Sequence, residues 1–568
     1  MSRSVPAIVI LGNGSLATAR LIQRSLPGAL IYGLSTRVEG ADVVYQEFGA
    51  TLRELYTTNT PIIALCAAGI VIRTLAPLLL EKGVEPPVLV VAEDASAVVP
   101  LLGGLGGVNV LAREIAESLG IAPAITTSGE LRFGTCLLNP PSGYALGDLE
   151  LGKRFVSDLL GGEPVRIEGD APWLAQAQLA QDQQARLAIH VGSTEREPSA
   201  NELLIYPKSV LVLVNEEVAD LADAIRKRLH NANIAVHSLA CLLASEQQMA
   251  SQALRDAAVE LNVPLRFSRA DTVCEQLAEL TSPPLTVHGD NGITVAVAEH
   301  PLDPSRIGRA RGRLAVIGLG PGAADLMVPA VKLELTRAND VLGYETYVRM
   351  AGPFRADQVL HCTDNREEMQ RARHAFELAA QGRSVVVVSS GDPGVFAMAA
   401  AVLEALHESR DPAWHSVDLE ILPGVSASLA TAAQAGAPLG HDFCVLSLSD
   451  NLKPWEIIEK RLALTAQADL AMAFYNPISR SRPWQLGRAL EIVAQYRIAE
   501  TPVVLGRDIG RPGQTLRVTT LGQLTADQVD MRTMVLIGSS TTRVFPRAQG
   551  LSWVYTPRSY GDKLVEIK

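Results

Sequence analysis

An apolar run that ends in a glycine- or proline-rich corner and passes straight into a helix recurs along this chain. No other feature restricts the fold as much. VVVVSSGDPGVFAMAAAVLEAL (385–406) is the fullest example. Four consecutive valines leave no polar face, so they suit a strand covered on both sides. A parallel neighbour then needs a crossover, which the following helix supplies.

The pattern runs through most of the sequence. Over residues 7–140 the runs AIVIL, ALIYGL, PIIALCAA, PVLVVAE and APAITT alternate with helical stretches such as LATARLIQRSL and NVLAREIAESLG. Polar segments, AQAQLAQDQQAR (175–186) and GSTEREPSANE (192–202), read as a boundary. A smaller α/β unit runs from SVLVLVN (209–215) to GITVAVAEH (292–300), and HPLDPSRIGRARGR (300–313) follows as a linker. From Leu314 the alternation resumes, too long for one small sheet, which predicts two α/β subdomains with a cleft between them. The fold class is therefore multi-domain α/β. Its expected parts are an N-terminal region (1–150), a connecting segment (151–204), a small domain (205–303), a linker (304–313) and a large C-terminal unit (314–568).

The glycine corners limit the ligand. GNGSLA (Gly12, Gly14, Ala17) fits G-x-G-x-x-A, but the next strand ends without an acid to hold a ribose, so a tight turn is the better reading. GLGPG (318–322) carries Pro321, which has no N–H and cannot cradle a pyrophosphate; no Gly-Lys-Ser/Thr follows. A stiff wall of this kind suits an uncharged or cationic ligand. Asp392, with Pro393 after it, occupies the place of a helix N-cap and also faces a strand's carboxyl end, where ligands bind. Ser426 can cap the alanine-rich helix after Pro423-Gly424.

Charge and cysteine usage exclude other classes. A net charge of −11 argues against general nucleic-acid binding. The six cysteines are scattered and form no CxxC pair, so neither a metal cluster nor a disulfide framework is expected. No apolar run is long enough to span a bilayer, and the first residues read as a strand rather than a signal peptide. A cytoplasmic protein without metal, membrane or nucleic-acid partners is expected.

Taken together, GLGPG (318–322), GYETY (343–347), SSGDPGVF (389–396), PGVSAS (423–428), GAPLGHDFCVLSLSDNLKPW (436–455), FYNP (474–477) and GRDIGRPG (506–513) resemble the tetrapyrrole-type (class III) S-adenosylmethionine methyltransferases. Within them the likeness is to the precorrin-3B C17-methyltransferase family of cobalamin synthesis. The resemblance implies two α/β subdomains with S-adenosylmethionine in the cleft, against Pro321, Ser390, Gly391, Asp392, Val395, Ser426 and Ala427. Asn476 and Ile509 complete that pocket, and the strand RTMVLIG (532–538) closes it. It implies methyl transfer to C17 of precorrin-3B with ring contraction to precorrin-4, in a homodimer formed through this half. Contraction needs an acid or base, for which His441, Asp450, Tyr344 and Glu345 are candidates. Each also has an ordinary reading: His441 satisfying loop carbonyls, Asp450 capping a turn, Glu345 pairing with a nearby arginine. The carboxylates of a precorrin tetrapyrrole call for cations, and Lys453, Arg480, Arg482, Arg488, Arg507 and Arg511 stand near loops.

CAAGIVIRTLAPLL (66–79), PPVLVVAED (86–94) and LLGGLGGVNVLAREIAE (101–117) resemble the cobalt-precorrin-5A hydrolase family, which opens a lactone and releases acetaldehyde. The 205–303 unit is similar to that family's C-terminal domain, but has VNEEVAD in place of a glycine-rich first turn. Leu102 and Gly104 stand where the family has Ser and His, and ITTSGE (125–130) offers only Glu130 as an acid. Two readings stay open: a bifunctional methyltransferase and hydrolase, or a degenerate N-terminal half that binds or passes on substrate.

Overall fold

The computed structural model describes residues 5–26, 28–79, 85–216, 218–270, 272–278, 284, 286–290, 292–355, 357–364, 367–479, 481–548 and 552–560. The chain divides into two compact units, 1–312 with 353–358, and 313–352 with 359–568.

Among the described residues the first unit contains three sheets. The first has the order Val43–Tyr45, Leu30–Leu34, Ala7–Ile10, Ile62–Leu65, Val88–Val91, Val98–Leu102, parallel except for the last strand. Its central runs are buried on both faces. Ile8 and Ile10 pack with helices Leu16–Ser25 and Val108–Leu119, while Ala7 and Val9 pack with Phe48–Thr57 and Ala68–Leu75. After Ile10 the chain makes a tight turn, with Asn13 Oδ1 accepting the Glu39 N–H (2.9 Å) and the buried Ser15 hydroxyl donating to Glu93 (3.0 Å).

The stretch expected to connect, 151–204, is instead folded. Helix Leu149–Leu160 covers a sheet of order Tyr144–Leu146, Glu202–Pro207, Leu187–Val191, Val165–Glu168. The reason is alternation: Ile189, Leu203 and Ile205 enter a core with Phe155, while His190 lies between Glu168 (2.7 Å) and Glu202 (3.0 Å). The polar Gln-rich segment is only a loop between two of these strands.

The third sheet has the order Leu265–Ser268, Leu239–Ser245, Val210–Val214, Ile293–Val297, Thr286–Asp290. The expected linker is strapped to it. Arg309 and Phe267 exchange backbone hydrogen bonds (both 2.8 Å), Arg309 pairs with Glu246 (2.5 Å), and Ile307 is buried.

The second unit opens on a parallel five-stranded sheet of order Val359–Thr363, Asp340–Tyr344, Ser384–Ser389, Arg313–Gly318, Asp418–Leu422. The valine strand 385–388 is fully buried, as its composition requires. A second, mixed sheet follows in the order Phe443–Ser447, Ala471–Tyr475, Thr533–Ile537, Pro502–Arg507, Thr515–Thr520. Among the described residues no helix is long and apolar enough to cross a membrane, and no group of three or more His, Cys, Asp or Glu could hold a metal ion.

Candidate active site

Three loops leave the parallel sheet at the carboxyl ends of neighbouring strands, and main chain locks them together. Gly320 and Gly391 exchange hydrogen bonds of 3.1 and 2.7 Å. A Cβ on Gly318 would lie 2.4 Å from the Gly391 carbonyl oxygen, and one on Gly424 would lie 2.2 Å from it. Only glycine permits this crossing. The Asp392 carboxylate completes the lock, accepting the N–H groups of Gly394 (2.8 Å) and Gly424 (3.1 Å). The sequence placed Asp392 as a helix cap; the helix begins later, at Met398, with Ala397 as its N-cap. Its carboxylate is held by loop amides instead, and Phe396, at φ +54, interrupts any helical path between them.

The mixed sheet supplies the opposite wall. The Tyr475 hydroxyl donates to Ser428 Oγ and accepts the Ser428 N–H, both at 3.1 Å. Ser426 caps helix Ala427–Ala435 as expected, accepting from the Leu429 N–H (3.4 Å). Asn476, left-handed at φ +51, donates to Ser447 Oγ (3.1 Å), and its carbonyl accepts from Arg482 (3.2 Å). From the turn after Pro502–Arg507, Arg511 donates to the Pro321 carbonyl (3.0 Å) and to Ser390 Oγ (3.1 Å). It ties the two subdomains together through the Gly-Pro-Gly corner.

These walls enclose a cleft of about 1040 Å³. Of the residues expected against the methyl donor, Pro321, Ser390, Gly391, Asp392, Val395, Ala427, Asn476 and Ile509 line it. Ser426 lies buried behind the wall as a cap. Thr533 and Met534, from the strand expected to close the pocket, line it too. Tyr344, Lys453, Arg482 and Arg511 also face the cleft.

Other candidates do not line the cleft. Glu345 pairs with Arg349 one turn on (2.5 Å), its ordinary reading. His441 Nδ1 accepts the Asp442 N–H (2.7 Å), and the ring meets Tyr560 edge-on. Asp450 accepts from Gln485 (3.1 Å). Arg507 pairs with Asp530 (2.8 Å) and Asp508 (2.9 Å), and Arg488 with Glu459 (2.7 Å) and Glu491 (3.2 Å). Arg480 lies outside the described residues.

Sequence reasoning passed over Arg371, Tyr347, Phe396 and the acids Asp364, Glu368, Glu404 and Asp508, all on the cleft. Arg371 is 2% exposed and donates to Thr363 Oγ1 (2.7 Å), the Asp364 carbonyl (2.7 Å) and Met398 Sδ (3.2 Å). Burial lowers its pKa. Its signal was available, because Arg371 shares a helix face with buried Ala375 and Ala379. Asp508 is buried between Arg507 and Arg532 (2.7 Å). Burial also pushes the Tyr347 hydroxyl up and the Lys453 ammonium down.

Comparison with known proteins agrees with these motifs. The model of the tetrapyrrole (corrin/porphyrin) methylases matches residues 313–525, and that of the cobalamin synthesis G N-terminal region matches 50–130. A precorrin-3B C(17)-methyltransferase of Sinorhizobium sp is 51% identical over 250 residues, covering 44% of this chain and 97% of that relative. The cobalamin biosynthesis protein CobIJ of Mycobacterium tuberculosis H37Rv is 45% identical over 255 residues, covering 44% of this chain and 49% of its own length. The crystal structure of the methyltransferase CobJ has 52% sequence identity and covers 43% of this chain and 100% of its own, with a TM-score of 0.41.

Proposed function

The chain belongs to the tetrapyrrole methylase family, and from that premise we propose that it transfers a methyl group from S-adenosylmethionine to C17 of precorrin-3B, with ring contraction to precorrin-4, in cobalamin biosynthesis. The observation that carries this is the 51% identity along 97% of the Sinorhizobium relative. The same reading puts the protein in the cytoplasm, as a homodimer formed through this unit.

The cleft's own chemistry fits the donor. The crossing of Gly318, Gly391 and Gly424 leaves a stretch of wall without side chains. Pro321 offers no N–H to a phosphate. S-adenosylmethionine, when bound, supplies an electrophilic methyl on a sulfonium sulfur. The chain's task is then alignment and exclusion of water. Loops 318–322, 389–396 and 423–428 fix one wall, and Arg511 holds the 508–511 turn against it. Lys453 and Arg482 face the cleft as grips for substrate carboxylates. Tyr344, the acid–base candidate that lines the cleft, would hold the proton of the migrating carbon's oxygen.

For the N-terminal unit we propose substrate binding without lactone opening. Gly104 brings no side chain to the loop, and Glu130 is buried against Asn109 Nδ2 (2.7 Å) and Arg113 (2.5 Å), which makes it a structural pin. The experiment is one incubation of the full chain with precorrin-3B and methyl-labelled S-adenosylmethionine. A product heavier by one labelled methyl, bearing an acetyl group, is expected. An unmethylated macrocycle, despite measured binding of the donor, would overturn the assignment.

A further inference from the structure

Phe396 sits where a phenylalanine is costly to place. Its backbone is left-handed, φ +54, a region where a bulky side chain crowds its own peptide. The same loop uses glycine at 391, φ +68, where only the chain path is at stake. At 396 it keeps an aromatic ring, 52% exposed, on the wall of the cleft. Strain of this kind persists where surroundings fix it, and it gathers at functional sites. Here the Val395 N–H donates to the Asp392 carbonyl (3.2 Å) and the Ala399 N–H to the Pro393 carbonyl (2.9 Å), one on each side of the residue.

What surrounds the ring indicates what it meets. Tyr475 touches it edge-on, with centroids 5.4 Å apart. The Lys453 ammonium stands 5.8 Å from its centroid, within cation–π range. Leu452, 92% exposed, and Met531, 48% exposed, line the same cleft. An open aromatic face, exposed aliphatic side chains and a cation beside them match a ligand with a broad flat apolar face and an anionic rim. We propose that Phe396 is the platform on which the macrocycle face stacks, with Lys453 holding a rim carboxylate beside it. This rests on the methyl-transfer reading above.

The test sets stability against binding. Phe396→Gly removes the ring and relieves the left-handed strain, so its melting temperature should rise by about 2 °C. Its affinity for an octacarboxylic porphyrin, uroporphyrin, followed by fluorescence on the full chain, should fall by at least about tenfold. Phe396→Trp, which keeps a face, should stay within about threefold of the unaltered protein. Both should still bind S-adenosylhomocysteine. Porphyrin binding by Phe396→Gly as tight as by the unaltered protein would overturn the proposal. So would a fall in melting temperature together with loss of both ligands, which is what a merely structural role requires. If the unaltered protein binds S-adenosylhomocysteine but no porphyrin, the macrocycle reading itself fails and takes this inference with it.

Discussion

Asp392 connects two loops of the cleft with one side chain, so its substitution is a direct probe of the wall. Alanine there leaves the amides of Gly394 and Gly424 without acceptors. Each lost partner costs about 1–3 kcal/mol where water cannot replace it. D392A should therefore bind S-adenosylhomocysteine at least about tenfold more weakly by calorimetry, and D392N, which keeps one acceptor oxygen, should lose less. Lys453 gives a pH dependence. Burial, with the nearby Arg461, pushes its ammonium below the usual lysine range. The protonated form is the one that binds a carboxylate. Affinity for an anionic macrocycle should thus fall as pH rises, and at lower pH than an exposed lysine would allow. K453R should flatten that profile, because guanidinium stays charged. An unchanged profile in K453R would show that Lys453 is not the titrating group. Individual residues were legible only in part. Pro321, Gly391 and Asn476 carry backbone constraints that any sequence displays. Arg511 acts through distant partners: it joins Pro321 and Ser390, more than a hundred residues away in the chain. No local pattern encodes such a contact.

At the scale of elements, the site is three strand ends whose loops cross within van der Waals distance. Their strands were readable from apolar runs, and so was the alanine-rich helix with its Ser426 cap. The start of the helix after the valine strand was not. Asp392-Pro393 has the local form of a cap, but both carboxylate oxygens are claimed by amides, one of them 32 residues further on. Tertiary contact overrode a sound local signal. The crossing predicts a contrast between two glycines. A methyl group at 424 would lie 2.2 Å from the Gly391 carbonyl oxygen and 2.7 Å from that of Gly318, and these two backbone segments cannot yield. G424A should lose donor binding in calorimetry and lower the melting temperature by several degrees, equivalent to about 2 kcal/mol or more. Gly487 lies inside helix Gln485–Val493, and a Cβ there would meet nothing within 4 Å. G487A should leave binding intact and add about 0.5–1 kcal/mol of stability. Equal behaviour of the two would mean that the crossing does not shape the pocket.

At the scale of the whole molecule, the two units pose different questions of self-sufficiency. The stretch 151–204 misled because a Gln-rich loop between two of its strands has the composition of a boundary. The methyltransferase half was legible because its loops form an ordered series, each next to a strand that composition makes unmistakable. That half also behaves as an independent unit in sequence space, since the Sinorhizobium relative is covered over 97% of its length by this part of the chain alone. Within it, Arg313 begins the first strand, Arg313–Gly318, and gathers Glu334 (2.9 Å), Asp418 (2.6 Å) and Glu420, so a shortened chain must retain it. A chain starting near residue 310 should fold, bind S-adenosylhomocysteine as the full protein does, and transfer a methyl to precorrin-3B at a rate within about threefold, since no group that lines the cleft is removed. The complementary measurement is acetaldehyde release by the full chain from a cobalt-precorrin-5A lactone, and none is expected. Glycine at 104 cannot move a proton, and Glu130 is held by Asn109 and Arg113. Should the shortened chain keep donor binding but lose turnover, the N-terminal unit takes part in delivering the macrocycle; acetaldehyde from the full chain would make the protein bifunctional.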